Sequence, residues 1–190
     1  MKNLFGKAKY TVLEKNSHIF STEDARRIAR KRLPRMVFDF IEGAAGREVG
    51  VSRNEAAFDN IMLQPRVMEN VSQRSLTASI LDQSFNVPFG VAPMGMCNLA
   101  CPNADRFLAE MANKFDFPVC LSSAASSSIE DMAKWAGHRA WFQLYFSSSE
   151  EASMSMVDRA LKAGFETLVL TVDVPQVSRR VRDLRNGFNL

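Results

Sequence analysis

Four short polar sets recur at regular intervals in this sequence: Ala92-Pro93-Met94-Gly95, Ser122-Ser123, Gln143 with Tyr145, and Thr171 with Asp173. Together they offer main-chain amides, hydroxyls and one carboxamide. That is what a flat ligand with a polar edge needs for orientation rather than for covalent attack. A second kind of chemistry follows the last set. Arg179, Arg180 and Arg182 stand just after Asp173-Val174-Pro175, and a guanidinium there could grip a carboxylate or phosphate bidentately. Other chemistries lack their parts. Cys97 and Cys101 have the spacing of half a metal site, but no second pair or nearby histidine completes it. No Gly-rich phosphate loop and no Ser/His/Asp pattern is present. The two histidines are His18, near the N-terminus, and His138, just before an apolar run. Neither reads as a general base, so no catalytic residue is assigned. No metal site is expected.

These sets need elements to carry them. Apolar runs at Phe89–Ala92, Val119–Leu121, Trp141–Phe146 and Leu168–Val174 read as strands. Between them, about 103–115, 129–135 and 150–162 read as helices. Capping-box spacing at Ser127-x-x-Glu130 and Ser148-x-x-Glu151 marks two helix starts, and Gly164 a helix end. Strands alternating with helices of this length imply βαβ units and a parallel sheet. Alternation puts Trp141, Gln143 and Tyr145 on one face of the third strand, with Phe142, Leu144 and Phe146 on the other. Thr167, Val169, Thr171 and Asp173 likewise share a face of the fourth. A purely structural parallel strand is apolar on both faces. Polar residues near the C-terminal ends of several strands fall where open α/β sheets and barrels bind ligands.

Upstream, Ser21-Thr22-Glu23-Asp24 opens a helix that is interrupted at Leu33-Pro34, a second helix covers 36–41, and a third lies around 52–60. β-like stretches follow at 61–67 and 76–81, with a turn at Asp82-Gln83. Residues 1–85 thus read as a helical N-terminal segment with a hairpin-like cap, and 86–190 as about four βα units.

The 190 residues are 46% hydrophobic and 24% charged, with 9 Gly, 7 Pro and 3 Cys. This excludes collagen-like, disulfide-scaffold and largely disordered chains. A net charge of +3 is too small to argue for nucleic acid, and the basic group from Arg26 to Arg35 reads as a solvated helix face. No apolar run approaches the roughly 20 residues of a spanning helix, and Met1–Lys9 has no signal-peptide pattern. Reduced thiols and a cytoplasmic location are the expectation, with peripheral attachment at the inner membrane left open for a full-length form.

Five motifs, in order, resemble the FMN-dependent α-hydroxy-acid dehydrogenase and oxidase family. They are Leu33-Pro34-Arg35-Met36-Val37-Phe38-Asp39-Phe40, Val91-Ala92-Pro93-Met94-Gly95-Met96, Leu121-Ser122-Ser123-Ala124-Ala125-Ser126, Trp141-Phe142-Gln143-Leu144-Tyr145 and Leu170-Thr171-Val172-Asp173-Val174-Pro175. The resemblance runs from about Ala25 to Leu190 and is nearest to the lactate and mandelate dehydrogenase branch. It implies the N-terminal half of an FMN-binding TIM (β/α)₈ barrel. It also implies oxidation of an L-2-hydroxy acid, lactate- or mandelate-like, to the 2-oxo acid, with hydride equivalents passing to flavin N5. Carried over, the main chain of Ala92, Pro93, Met94 and Gly95 lies against the flavin ring, and Ser122, Gln143 and Thr171 bond its polar edge. Tyr145 and Arg180 hold the substrate, with Arg180 on or near its carboxylate.

Phe40 departs from the family, which usually has a substrate-contacting Tyr there. The lost hydroxyl removes a donor worth ~1 kcal/mol or more. The family's flavin-stabilising Lys, base His and neighbouring Arg, and its phosphate-binding segments, belong to its second half, and nothing here matches them. A small hydroxy acid and FMN are therefore the expected ligands, nucleic acid is not, and homo-oligomerisation is expected of a full-length form. The 190 residues alone are expected to show no turnover and weak or no FMN retention, as a truncated half-barrel. A phosphate-binding barrel of lyase or isomerase type shares the βα rhythm but leaves Gln143, Tyr145, Thr171 and Arg180 unexplained together.

Overall fold

The computed structural model describes residues 19–146, 149–173, 176 and 178–188. Tertiary contacts divide the chain into two units, Met1–Glu48 with Arg180–Leu190, and Val49–Arg179. The hairpin, which the sequence groups with the N-terminal segment, falls in the second unit.

In the first unit, helix α1 (Thr22–Arg32) starts where Ser21 accepts a hydrogen bond from the Asp24 amide. Acidic residues occupy its first turn and basic ones its last, as the helix dipole favours. Several of the basic side chains expected to be solvated are paired with acids: Arg26 with Glu42 and Glu23, Arg27 with Asp24, and Arg35 with Asp39. Pro34 cannot continue α1 and instead caps α2 (Arg35–Glu42), which buries Val37 and Phe38.

The second unit opens with α3 (Val49–Asp59). The β-like stretch 61–67 forms no element. It is exposed, Pro65 brings no N–H, and it pairs with no strand among the described residues; β-propensity alone does not make a ladder. A hairpin does form, but between β1 (Ala78–Ile80) and β2 (Gln83–Phe85): the turn is Leu81-Asp82, and Gln83, expected in the turn, begins the second strand. The parallel sheet follows in the order β3 (Val91–Met94), β4 (Val119–Ser122), β5 (Ala140–Tyr145), β6 (Leu168–Thr171). Its connecting helices are α4 (Ala104–Phe115), α5 (Ile129–Ala136) and α6 (Glu150–Lys162).

β3 lies two residues later than the apolar run suggests. Gly90 passes so close to Pro118 that a Cβ would sit 2.5 Å from its carbonyl oxygen, and the ladder begins with Val91 N–H on that same oxygen. Both helix caps are also one residue late. Ser128 and Ser149 accept the Asp131 and Ala152 amides, because serines and acids stand in runs that allow either frame, and Ile129 must turn into the core. Ser148 lies outside the described residues, as does Val174 of the fourth expected strand; β6 itself stops at Thr171, short of Val172 and Asp173.

The core is the helix-covered side of the sheet: Val119 and Leu121 of β4, Phe142 and Leu144 of β5, Met132 and Ala136 of α5, with Ala109, Ala112 and Phe165. On the other side, the hairpin closes the N-terminal end of the sheet. Gln83 accepts from Trp141 Nε1 at 3.1 Å and donates to Thr167 Oγ1 at 3.3 Å, while Arg139 donates to Ser84 O and pairs with Asp116. Phe85 is fully buried there, edge-on to Trp141.

Burial separates the thiols. Desolvation raises Cys120 to about 12 and Cys97, with the Asp105 carboxylate also nearby, to about 11, whereas Cys101 is exposed. Because the thiolate is the reactive form, a disulfide reagent at pH 8 should titrate Cys101 first, and Cys97 and Cys120 on unfolding. Three thiols reacting at one rate in the folded protein would contradict this.

Candidate flavin-edge and anion site

The parallel register sets Ser122 beside Gln143, and Tyr145 beside Thr171. On the side away from the helices, these residues form a hydrogen-bonded row. Ser122 Oγ donates to Gln143 Oε1 at 2.8 Å, and Gln143 Nε2 donates to Thr171 Oγ1 at 2.8 Å. Gln143 is 1% exposed and Ser122 4%. A buried carboxamide without partners would cost about 1–3 kcal/mol, so the row both satisfies Gln143 and fixes which way its amide points. The Ala124 amide donates to Ser122 Oγ, and the Tyr145 amide to Ser123 Oγ, locking the strand ends together. Gln143 Nε2 has two hydrogens and gives one to Thr171. Its second hydrogen and the Thr171 hydroxyl leave the row with donors to offer to a carbonyl-bearing ring edge.

Beside the row, Ala92, Pro93 and Met94 are exposed at the end of β3. The Met96 amide donates to Ala124 O, and Gly95 lies where a Cβ would just touch Ala124. Sequence reasoning missed what holds this wall. Asp105, buried in the first turn of α4, accepts the Ser126 amide at 3.1 Å; the Asn98 amide donates to Ser126 Oγ; and Asn98 Oδ1 accepts the Ala104 amide. An acidic residue in a helix's first turn reads from sequence as dipole chemistry, and nothing local reveals a tie to a loop 21 residues away. Tyr145 is half-exposed at the end of β5, and Asp173 is exposed beyond β6. His138 lies in the 3₁₀ turn Gly137–Arg139 before β5, at the opposite end of the strand from Tyr145. His18 lies outside the described residues.

In the first unit the structure brings Arg180 and Phe40 together. Arg180 precedes α7 (Val181–Asn186), and its main chain bridges to Ala45. Its Nε donates to Asp183 Oδ2 at 2.6 Å, and its Nη2 donates to the carbonyls of Phe40 and Gly43. Its guanidinium lies 5.0 Å from the Phe40 ring centroid, and Phe188 packs on that ring at 5.2 Å. The bidentate grip expected of an arginine in this run is therefore not open to Arg180 as it lies, since two of its three nitrogens are occupied. Arg182 is engaged as well, by Glu48 and Asp39.

These pairings carry a pH dependence. The Asn186 amide, with Arg35 and Arg182, holds the Asp39 carboxyl below its ordinary 3.8, and Arg182 holds Glu48 below 4.5. Depressed folded-state values stabilise the unit above the ordinary carboxyl range, and that contribution is lost as pH falls through it toward the folded values. Acid titration should therefore loosen the packing of α2 on α7 below about pH 4. Side-chain NMR signals of Asn186 unchanged down to about pH 3 would refute this.

Residues 29–190 match the family described as FMN-dependent dehydrogenase. The chain belongs to this family. Among curated members, the (S)-mandelate dehydrogenase of Pseudomonas putida is 40% identical over 175 residues, covering 92% of this chain and 44% of the relative. The L-lactate oxidase of Nostoc is 36% identical and matched over 46% of its length. A soluble mutant of the membrane-associated P. putida (S)-mandelate dehydrogenase superposes with a TM-score of 0.85 at 41% identity, over 90% of this chain and 49% of that one. The chain thus spans about half the length of the relatives it matches, and its four βα units are those of the family's TIM barrel. FMN is the family's cofactor. Among the described residues, no helix is long and apolar enough to cross a membrane.

Proposed function

We propose that this chain carries the flavin-edge and substrate-anchor part of an FMN-dependent oxidoreductase that converts an L-2-hydroxy acid, lactate- or mandelate-like, to its 2-oxo acid. The supporting observation is the Ser122–Gln143–Thr171 row, buried at Ser122 and Gln143, because no requirement of the fold asks for a line of polar side chains inside a parallel sheet. Bound FMN would supply the two-electron acceptor, which no protein side chain provides. The chain's own residues do the positioning. The main chain of Ala92, Pro93, Met94 and Gly95 forms a wall against the ring, and Ser122, Gln143 and Thr171 orient its polar edge. Tyr145 offers a hydroxyl to the substrate, Arg180 a positive charge to its carboxylate, and Phe40 an apolar surface suited to an aryl or alkyl substituent. The proposed location is the cytoplasm.

A second reading concerns the 190 residues by themselves: a half-barrel that holds FMN weakly and turns nothing over. The outer edges of β3 and β6 have no partner strand among the described residues, and Leu168 and Leu170 are half-exposed. One pair of measurements separates the readings. The chain alone is titrated with FMN and then mixed with (S)-mandelate or L-lactate. In parallel it is joined in frame to the remaining residues of P. putida (S)-mandelate dehydrogenase and assayed by hydroxy-acid-dependent dye reduction. Turnover only in the joined form supports both readings, bleaching by the chain alone removes the second, and no FMN binding in either form defeats the first.

A further inference from the structure

We infer that Asp183 is a positioning residue: it holds Arg180 so that one edge of the guanidinium, Nη1, is left to meet an anion. The inference deepens the proposed function, on which it rests for the identity of that anion, a 2-hydroxy-acid carboxylate.

Asp183 is 6% exposed, and among the described residues its carboxylate is held by Arg180 alone, through Oδ2 at 2.6 Å. Its Oδ1 is the one buried side-chain polar atom without a hydrogen bond among the described residues. A carboxylate kept for packing would be a poor choice here, since an apolar residue of similar size fills such a place without desolvating a charge. What the carboxylate does is fix Nε. The Phe40 and Gly43 carbonyls fix Nη2, and the Phe40 ring covers the guanidinium. A free arginine side chain has many rotamers, and here most of that freedom is lost before any ligand arrives. Gly43 contributes through its backbone. It ends α2, and a Cβ there would lie 2.5 Å from Asp39 O, so the turn presenting its carbonyl to Arg180 has no room for a side chain. With Nε and Nη2 occupied, Arg180 meets an anion by charge and one N–H edge rather than as a fork.

The test uses the 190-residue chain labelled with ¹⁵N, reading the Arg180 side-chain Nε–H signal with and without (S)-mandelate. In the unaltered protein this proton should exchange slowly. Asp183→Ala should speed exchange at least ten-fold and raise the mandelate concentration needed to shift Arg180 signals about ten-fold. Asp183→Asn keeps the shape and an acceptor and should fall between, with unchanged circular dichroism, so that loss of fold is told apart from loss of the anchor. Unaltered Nε–H exchange in both variants would overturn the inference, as would Arg180 signals that shift with mandelate at the same concentrations in Asp183→Ala and the parent. If Nε–H exchange depends on Asp183 but mandelate leaves Arg180 untouched in every form, Asp183 still positions Arg180 and it is the proposed function that fails.

Discussion

A Gln143→Leu chain will hold FMN at least ten-fold more weakly than the parent and will be less stable by about 1–3 kcal/mol. The substitution keeps the bulk of the side chain and removes its carboxamide. Ser122 loses the acceptor for its hydroxyl and Thr171 loses its donor, so both ends of the row turn loose. A ligand edge that met one well-placed donor then meets a methyl group, and about 1.4 kcal/mol corresponds to each ten-fold in affinity. Quenching of flavin fluorescence at high micromolar FMN measures the first effect, and the urea midpoint the second. An unchanged flavin titration would remove Gln143 from the ring-edge role even if stability fell as expected.

Phe142→Ala, one residue earlier, should do the reverse: a large loss of stability from the other side of the same strand. Phe142 is 2% exposed, faces α6 and meets Phe165 edge-on at 6.1 Å. Truncating a buried phenylalanine costs about 3–5 kcal/mol, a large share of the roughly 5–15 kcal/mol that holds a typical domain. With a urea dependence of about 1–3 kcal/mol per molar, the midpoint should fall by about 1–5 M. A shift under 0.5 M (roughly 1 kcal/mol by the same dependence) would mean that the helix-covered face of β5 is not the core. The pair thus separates two demands placed on adjacent residues, packing on one face and ligand chemistry on the other.

That division is legible in the amino-acid order itself, because it rests on period-two alternation within one strand. Gln143 and Tyr145 opposite Phe142 and Leu144 need nothing but the sequence. Parallel strands are short, continuous apolar runs, and β4, β5 and β6 stand within a residue or so of where those runs do, except that β6 stops at Thr171, short of Val172 and Asp173. Apart from the helix caps, the failures share a cause. Residues 61–67 have strand-like composition but no neighbour to pair with, and β3 begins where Gly90 meets Pro118, a contact between segments far apart in the sequence. Likewise, Arg180 can be marked as an anion-seeking cation, but not as one whose Nη2 is satisfied by the end of α2. The ties of Asp105 to Ser126 and of Gln83 to Trp141 are invisible for the same reason: local pattern identifies a polar residue, and only the fold supplies its partner.

The seat of Arg180 sets an order of events during synthesis. The carbonyls that receive it, on Phe40 and Gly43, are made 140 and 137 residues before it. At about 5–20 residues per second a ribosome needs roughly 7–30 s to bridge that interval. Throughout it α2, eight residues long, has no α7 to pack against. A helix that short is not stable in water by itself. The nascent chain therefore carries the Phe40 ring without the Arg180 guanidinium and Phe188 ring that cover it until those residues emerge, and this is the interval in which a holding chaperone would bind it.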